Sequence, residues 1–309
     1  MKKLLLYIFF PFNVMSMELS VIIGNDTFGS SPSNREKLCV VKGFEKESGM
    51  KIDIYPNNHS RIGTLRALKK ARSEVIVLPL LTNELLEWSE FKSFSSKNSA
   101  YVFTSSVDIP PSLGANYISV TPNIGSQLDY LLKEFKGKEF TLIGDNGKYT
   151  ELIRELLYMS DVQYEFLYDN EIHKLGTNYG LVLMSLPRSR VLAAYDKLDN
   201  LNRKMDVVSF DVGAITDVMK KRLKINNLTL YSVKNWSGEV SSAFKKVYMH
   251  YCSNVQKKPT YLNIATYDAL SAATAKAKNK EFFWSERIQG FMKLTEREQS
   301  FILEKLNVK

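Results

Sequence analysis

The sequence predicts an α/β protein built from two Rossmann-like lobes joined by multiple crossovers. Three observations lead there. Short β-branched runs alternate with amphipathic helical stretches, the pattern of parallel sheets covered by helices on both faces. The alternation runs twice, restarting near residues 118–124. The chain has 309 residues, too many for one small core.

The elements follow in order. Glu18–Gly24 (ELSVIIG) reads as a buried parallel strand, and Ser33–Gly49 as a helix with Leu38, Val41 and Phe44 on one side and a glycine stop. Lys51–Tyr55 is a strand, Ser60–Arg72 a helix, Glu74–Pro79 (EVIVLP) a strand and Thr82–Phe94 a helix. Ala100–Phe103 and Tyr117–Thr121 are strands, and Gly125–Phe135 is a helix. The second run begins with Glu139–Gly144 (EFTLIG), an Asp145-Asn146-Gly147 turn and a Tyr149–Ser160 helix. It continues with strands Gln163–Tyr168 and Gly180–Met184, helix Ser189–Asn200, strand Asp206–Phe210, helix Val212–Leu223 and strand Leu228–Val233. From Val233 to Asn279 the pattern is helical, followed by a short strand-like piece and a helix over Leu294–Leu306. Neither tail piece has a sheet of its own, so the chain crosses between lobes more than once. Residues 17–120 with 234–280 are assigned to one lobe and 121–233 with 281–309 to the other.

The first 16 residues read as an export signal: Lys2 and Lys3 precede the apolar run Leu4–Phe12, and Val14-Met15-Ser16 offers a cleavage site. The alternatives are an uncleaved anchor or a start at Met17. No apolar run reaches the roughly 18–20 residues of a membrane span. A net charge of +9 comes from 42 basic and 33 acidic side chains. The basic residues are scattered, with no binding module, so they read as a solvated surface and nucleic acid is not expected as a partner. The three histidines, His59, His173 and His250, lie far apart, so no metal site is expected. No GxSxG, Walker loop or GxGxxG is present, so neither an enzyme nor a bound cofactor is expected. Cys39 and Cys252 each sit on a helical pattern and read as two buried free thiols, with a disulfide between them as the alternative.

Several motifs carry a resemblance. Phe244-x3-Tyr248-x2-Tyr251 is followed by Pro259 and then by Ala265-Thr266-Tyr267-Asp268-Ala269. Val75–Thr82 (VIVLPLLT) and Thr141–Tyr149 (TLIGDNGKY) add two strand-and-loop segments in the same order. Over residues 18–300 the chain resembles the type I periplasmic binding proteins, the leucine and branched-chain amino-acid receptors of ABC transporters. The resemblance implies the two-lobed fold of that family and a periplasmic location. It also implies a small amino-acid-like ligand, closure of the lobes over it, and a membrane permease as partner. Leu78 replaces a family glycine, Thr150 replaces another, and Ile124 stands within a segment that has lost the family's arginine and aspartate. These departures support a second reading: a regulatory protein of the same fold, such as a penicillin-binding-protein activator that contacts a peptidoglycan synthase.

A zwitterionic ligand needs donors for its carboxylate and acceptors for its ammonium group. Thr82, at a helix start, and the Thr104-Ser105-Ser106 hydroxyl cluster lie after strands where the resembling family binds carboxylate. Tyr149 takes the position of a cleft-lining aromatic, and Asp211, directly after the strand DVVSF, is the acid placed to meet an ammonium group. Each has a plainer role as helix cap, turn or core residue.

Overall fold

The computed structural model describes residues 18–24, 32–58, 60–81, 99–105, 116–177, 180–210, 223–254, 258–294 and 301–306. The export signal, the helices expected at Thr82–Phe94 and Val212–Leu223 (up to residue 222), and three proposed site residues (Thr82, Ser106 and Asp211) lie outside them.

The first sheet holds five parallel strands in the order β2-β1-β3-β4-β5. These are β1 (Glu18–Ile23), β2 (Lys51–Pro56), β3 (Val75–Leu81), β4 (Ala100–Ser105) and β5 (Tyr117–Ser119). Strand alternation sorts its side chains onto two cores. Val75, Val77, Ala100, Val102 and Ile118 face α1 (Pro32–Ser48) and a helical pair from late in the chain, α6 (Ser242–Tyr251) and α7 (Tyr261–Ala277). Ile76, Leu78, Tyr101, Phe103 and Tyr117 face α2 (Arg61–Lys70) on the other side. The helices start and stop as their sequences direct. Ser60 caps α2 through the Gly63 amide at 3.0 Å, and Thr260 with Asn263 forms a capping box on α7. Gly49 ends α1 at φ +68°, the left-handed conformation that glycine adopts without a steric penalty.

The second sheet has six strands in the order β13-β10-β9-β8-β6-β7. The strands are β6 (Phe140–Gly144), β7 (Tyr164–Tyr168), β8 (Leu181–Ser185), β9 (Met205–Ser209), β10 (Leu228–Lys234) and β13 (Ile302–Lys305). All pair in parallel except β13, which runs antiparallel on the edge of β10. Helices α3 (Ile124–Glu134), α4 (Lys148–Met159) and α5 (Arg188–Asp199) cover it. Chain crossings between the two sheets follow β5, β10 and residue 294.

Three expectations need correction. Cys39 and Cys252 are a disulfide, with Cα atoms 5.3 Å apart, and not two thiols; it ties α1 to the end of α6. Residues 302–305, expected in a helix, are strand β13, because the open edge of β10 offers backbone partners and because Leu303 and Leu306 then fall on opposite cores. The segment 281–309, assigned to the second lobe, divides. The hairpin of β11 (Phe282–Ser285) and β12 (Gly290–Lys293) packs Phe283 and Met292 into the first core, and only the segment carrying β13 reaches the second sheet.

A polar network holds that hairpin. The Asp268 carboxylate, on α7, accepts from Ser285 Oγ at 2.6 Å and from the Glu286 amide at 2.7 Å. Glu286 in turn accepts from the Ser241 amide and hydroxyl and from the Trp284 indole. Arg287 donates to the Asn235 carbonyl at 3.3 Å, so the network reaches the crossing after β10. Burial pushes Asp268 up to about 7, opposed by these hydrogen bonds and by the Arg287 charge.

Candidate functional site

In open parallel sheets, ligands bind beyond the carboxyl ends of the strands, where consecutive connections depart in opposite directions. In the second sheet that point lies between β6 and β8, since β6 connects outward to β7 and the chain then returns to β8. In the first sheet it lies between β1 and β3, and the loops after both strands fall outside the described residues, apart from Gly24.

The β6 end is built around Thr150. Its Oγ1 lies 3.0 Å from Asp145 Oδ1 and 3.1 Å from both the carbonyl and the hydroxyl of Ser185, at the end of β8. One hydroxyl proton serves one of these acceptors at a time, while the lone pairs accept from the Asp145 amide at 3.4 Å and from Ser185. Asp145 also accepts from the Gly147 amide at 2.9 Å, the Asx turn that the Asp-Asn-Gly sequence predicts. Gly144 is required here: a Cβ would stand 2.4 Å from Thr150 Cγ2. Thr150 thus fastens the two loops that flank the switch point.

Beside it, a pocket of about 330 Å³ is lined by Asp145, Asn146, Tyr168, Asp169, Asn170, Glu171 and Arg190. The Arg190 guanidinium bonds Asp169 and stands 3.7 Å from Asp145. Lys197 donates to the Asp169 carbonyl at 3.1 Å. A hydrogen bond from Lys174 holds Glu171 below the usual carboxylate range. The pocket therefore presents charges that already have partners, together with amide groups, which suits a polar solute held by hydrogen bonds. Among the described residues no group of three or more His, Cys, Asp or Glu is arranged for a metal ion, and no helix is long and apolar enough to cross a membrane.

The structure describes three of the six proposed site residues. Thr104 and Ser105 end β4 at the carboxyl edge of the first sheet, with Ser105 in register with Leu81 of β3. Tyr149 stands in the first turn of α4 at the corresponding edge of the second sheet, 7% exposed, with its ring in the apolar core beside Ile124 and Leu128. The described parts do not bring these three together. Leu78 and Ile124, two of the departures behind the interaction reading, are both fully buried core residues. The sequence marks Thr150 only as a replaced family glycine, and Ser185 and Arg190 carry no signal of their own. A threonine one turn after an Asp-Asn-Gly loop was the available signal.

No protein-family model matches the chain, and no curated protein matches it by sequence. Solved structures do match in fold. A leucine-binding protein from Thermotoga maritima superposes with a TM-score of 0.66 at 13% identity, covering 93% of this chain and 97% of that one. The branched-chain amino acid transporter substrate-binding protein of Streptococcus pneumoniae, solved with isoleucine, gives a TM-score of 0.69 at 11% identity, with 94% and 96% covered. An ABC-transporter solute-binding protein from Rhodopseudomonas palustris, solved with benzoate, gives 0.68 at 12% identity, with 94% and 93% covered. Two wound parallel sheets with repeated crossings, matched over nearly the whole length of these receptors, give the chain the two-lobed fold of the type I periplasmic binding proteins.

Proposed function

We propose that the chain is an exported, non-enzymatic receptor that holds a small polar molecule between its lobes and delivers it to the permease of an ABC transporter. The observation that carries this reading is the shortness of the first crossing. Four residues join the carboxyl end of β5 to the start of α3, whose cap is Asn123. The five residue steps from Ser119 to Ile124 reach at most about 18 Å, so the carboxyl edge of one sheet stands next to the carboxyl-side helix starts of the other. The second crossing also leaves a carboxyl end, that of β10. Binding groups beyond those edges then share one cleft, and a ligand touching both sides favours the closed form by its differential affinity. The Cys39–Cys252 disulfide supports export, since such bonds persist in oxidising compartments.

Isoleucine and benzoate, held by two structures of the same fold, share a carboxylate on an apolar body. In this reading Thr82, Thr104, Ser105 and Ser106 supply carboxylate donors from the first lobe. Tyr149 floors the second lobe, and Asp211 meets an ammonium group where the ligand has one. The test is calorimetry and thermal shift across amino acids, aromatic and aliphatic carboxylates and small anions, with solution scattering for compaction. One class should bind and compact the protein, and Asp211→Asn should weaken an ammonium-bearing ligand by about tenfold to a hundredfold. No heat and no compaction across the panel would overturn the receptor reading in favour of a regulatory protein that contacts a partner such as a peptidoglycan synthase.

A further inference from the structure

The β11–β12 hairpin is two-faced. Phe283, Ser285 and Met292 point into the first lobe and are buried. The opposite face carries two cross-strand pairs, Phe282 with Lys293 and Trp284 with Phe291. Its three aromatic side chains are exposed by 51% (Phe282), 37% (Trp284) and 72% (Phe291). The Trp284 and Phe291 rings meet edge to face at 5.4 Å, and the Trp284 indole is fixed to Glu286 at 2.9 Å, so the patch is assembled in advance. Elsewhere among the described residues, large exposed apolar side chains stand singly or, at the end of α4, as Tyr158 with Met159. Isolated exposure needs no explanation, whereas a contiguous aromatic face marks an interaction site.

The rim of this face is cationic. Lys278 and Lys280 are exposed in the turn that leads from α7 into β11 and form no ion pair with any described residue, and Lys293 stands on the face itself. The acids over the described stretch 276–294 are Glu281, which is exposed, and Glu286, which is turned inward and spent on Ser241, Trp284 and Gln289. Aromatic rings at headgroup depth with lysines against phosphate is the side-chain set that settles on an anionic bilayer surface. A second copy of this chain fits poorly, because two-fold pairing of the patch would set each lysine rim against its own copy.

We infer that the β11–β12 hairpin is a docking surface for anionic phospholipid, with Phe282, Trp284 and Phe291 entering the headgroup layer and Lys278, Lys280 and Lys293 pairing with lipid phosphate. The contact is reversible, since one small aromatic wedge with a few lysines falls short of stable anchoring. It is independent of any ligand in the cleft.

The test is co-sedimentation of the full chain with vesicles of phosphatidylcholine alone and of phosphatidylcholine with phosphatidylglycerol, at low and high salt. Because the apolar segment Leu4–Phe12 is present in every sample, the readouts are the preference for anionic vesicles and the difference between variants. Anionic vesicles should bind more protein, and salt should weaken binding. Lys278→Gln with Lys280→Gln should lower the partition coefficient by about fivefold per lysine. Phe291→Ala should lower it by several-fold with an unchanged unfolding midpoint, since the side chain adds nothing to the core. The inference would be overturned by equal binding of wild type and variants, by no preference for anionic vesicles, or by light scattering showing a dimer that Phe291→Ala dissociates. Binding to polyglutamate but not to vesicles would also overturn it, in favour of an acidic protein partner.

Discussion

The two lobes share a sheet design but are tied together differently. The second is built mainly from one continuous stretch, β6 to β10, and only β13 returns to its edge. Among the described residues its long-range buried polar links include Thr150 with the carbonyl and hydroxyl of Ser185, and Tyr195 with Ser209. The first lobe is split by the second, so β1 to β5 must find α6, α7 and the hairpin across the intervening chain. It carries both the disulfide and the buried Asp268–Glu286–Arg287 network. An apolar core closes a contiguous segment, whereas a lobe made from two distant segments faces a larger closure entropy and is held by a covalent link and a buried hydrogen-bond network as well.

The comparison can be broken most forcefully at the disulfide. Cys39→Ala with Cys252→Ala, or reductant, should cost the first lobe about 3–5 kcal/mol, because the bond closes a sequence separation of 213 residues. Scanning calorimetry should show one transition falling by roughly 10 °C while that of the second lobe stays in place. A common shift of both would mean that the lobes unfold as one unit.

Next in size is Asp268. Asp268→Ala strands the Ser285 hydroxyl and the Glu286 amide and should cost about 2–3 kcal/mol, again in the first lobe alone. The pH dependence sharpens this. The folded carboxyl titrates at about 7 against 3.8 for the ordinary group, so the folded state holds the proton more tightly. Its contribution to stability is therefore complete below about pH 4 and is lost as pH rises to about 7. The first-lobe midpoint should fall across that window, and Asp268→Asn, which does not titrate, should flatten the profile.

Smaller effects belong to the second lobe. Thr150→Val removes the hydroxyl that joins Asp145 to Ser185 and should cost about 1–2 kcal/mol in that lobe's urea transition. Tyr195→Phe should cost about 1 kcal/mol by leaving Ser209 without its partner. The Lys138–Asp206 pair at 2.9 Å is solvent-exposed on the lysine side, so Lys138→Ala should change stability by less than about 0.5 kcal/mol.

The alternation of sheet faces was legible because it is local. In EVIVLP, Val75 and Val77 go to one core and Ile76 and Leu78 to the other, as a period of two requires. Decisions made at a distance were not legible. Residues 302–305 contain Ile, Leu and Glu at a spacing a helix would also use, and the free edge of β10 settles them as strand. Nothing near Cys39 announces Cys252, and a helical pattern around each suggested two separate buried thiols. At the site, the Asp145 turn was read correctly, while the link from Thr150 to Ser185 depends on two strands becoming neighbours and has no signature within either segment.

The bond between Cys39 and Cys252 also sets an order of events during synthesis. The two residues are 213 positions apart, so at about 5–20 residues per second Cys39 waits roughly 10–40 s for its partner. All the parallel strands of the second sheet are made in that interval, and β13 only afterwards. With two cysteines in the whole chain, no wrong pairing exists within one molecule. In an oxidising compartment the hazard is intermolecular: a Cys39 thiol not yet joined to Cys252 meeting the same thiol on a neighbouring chain.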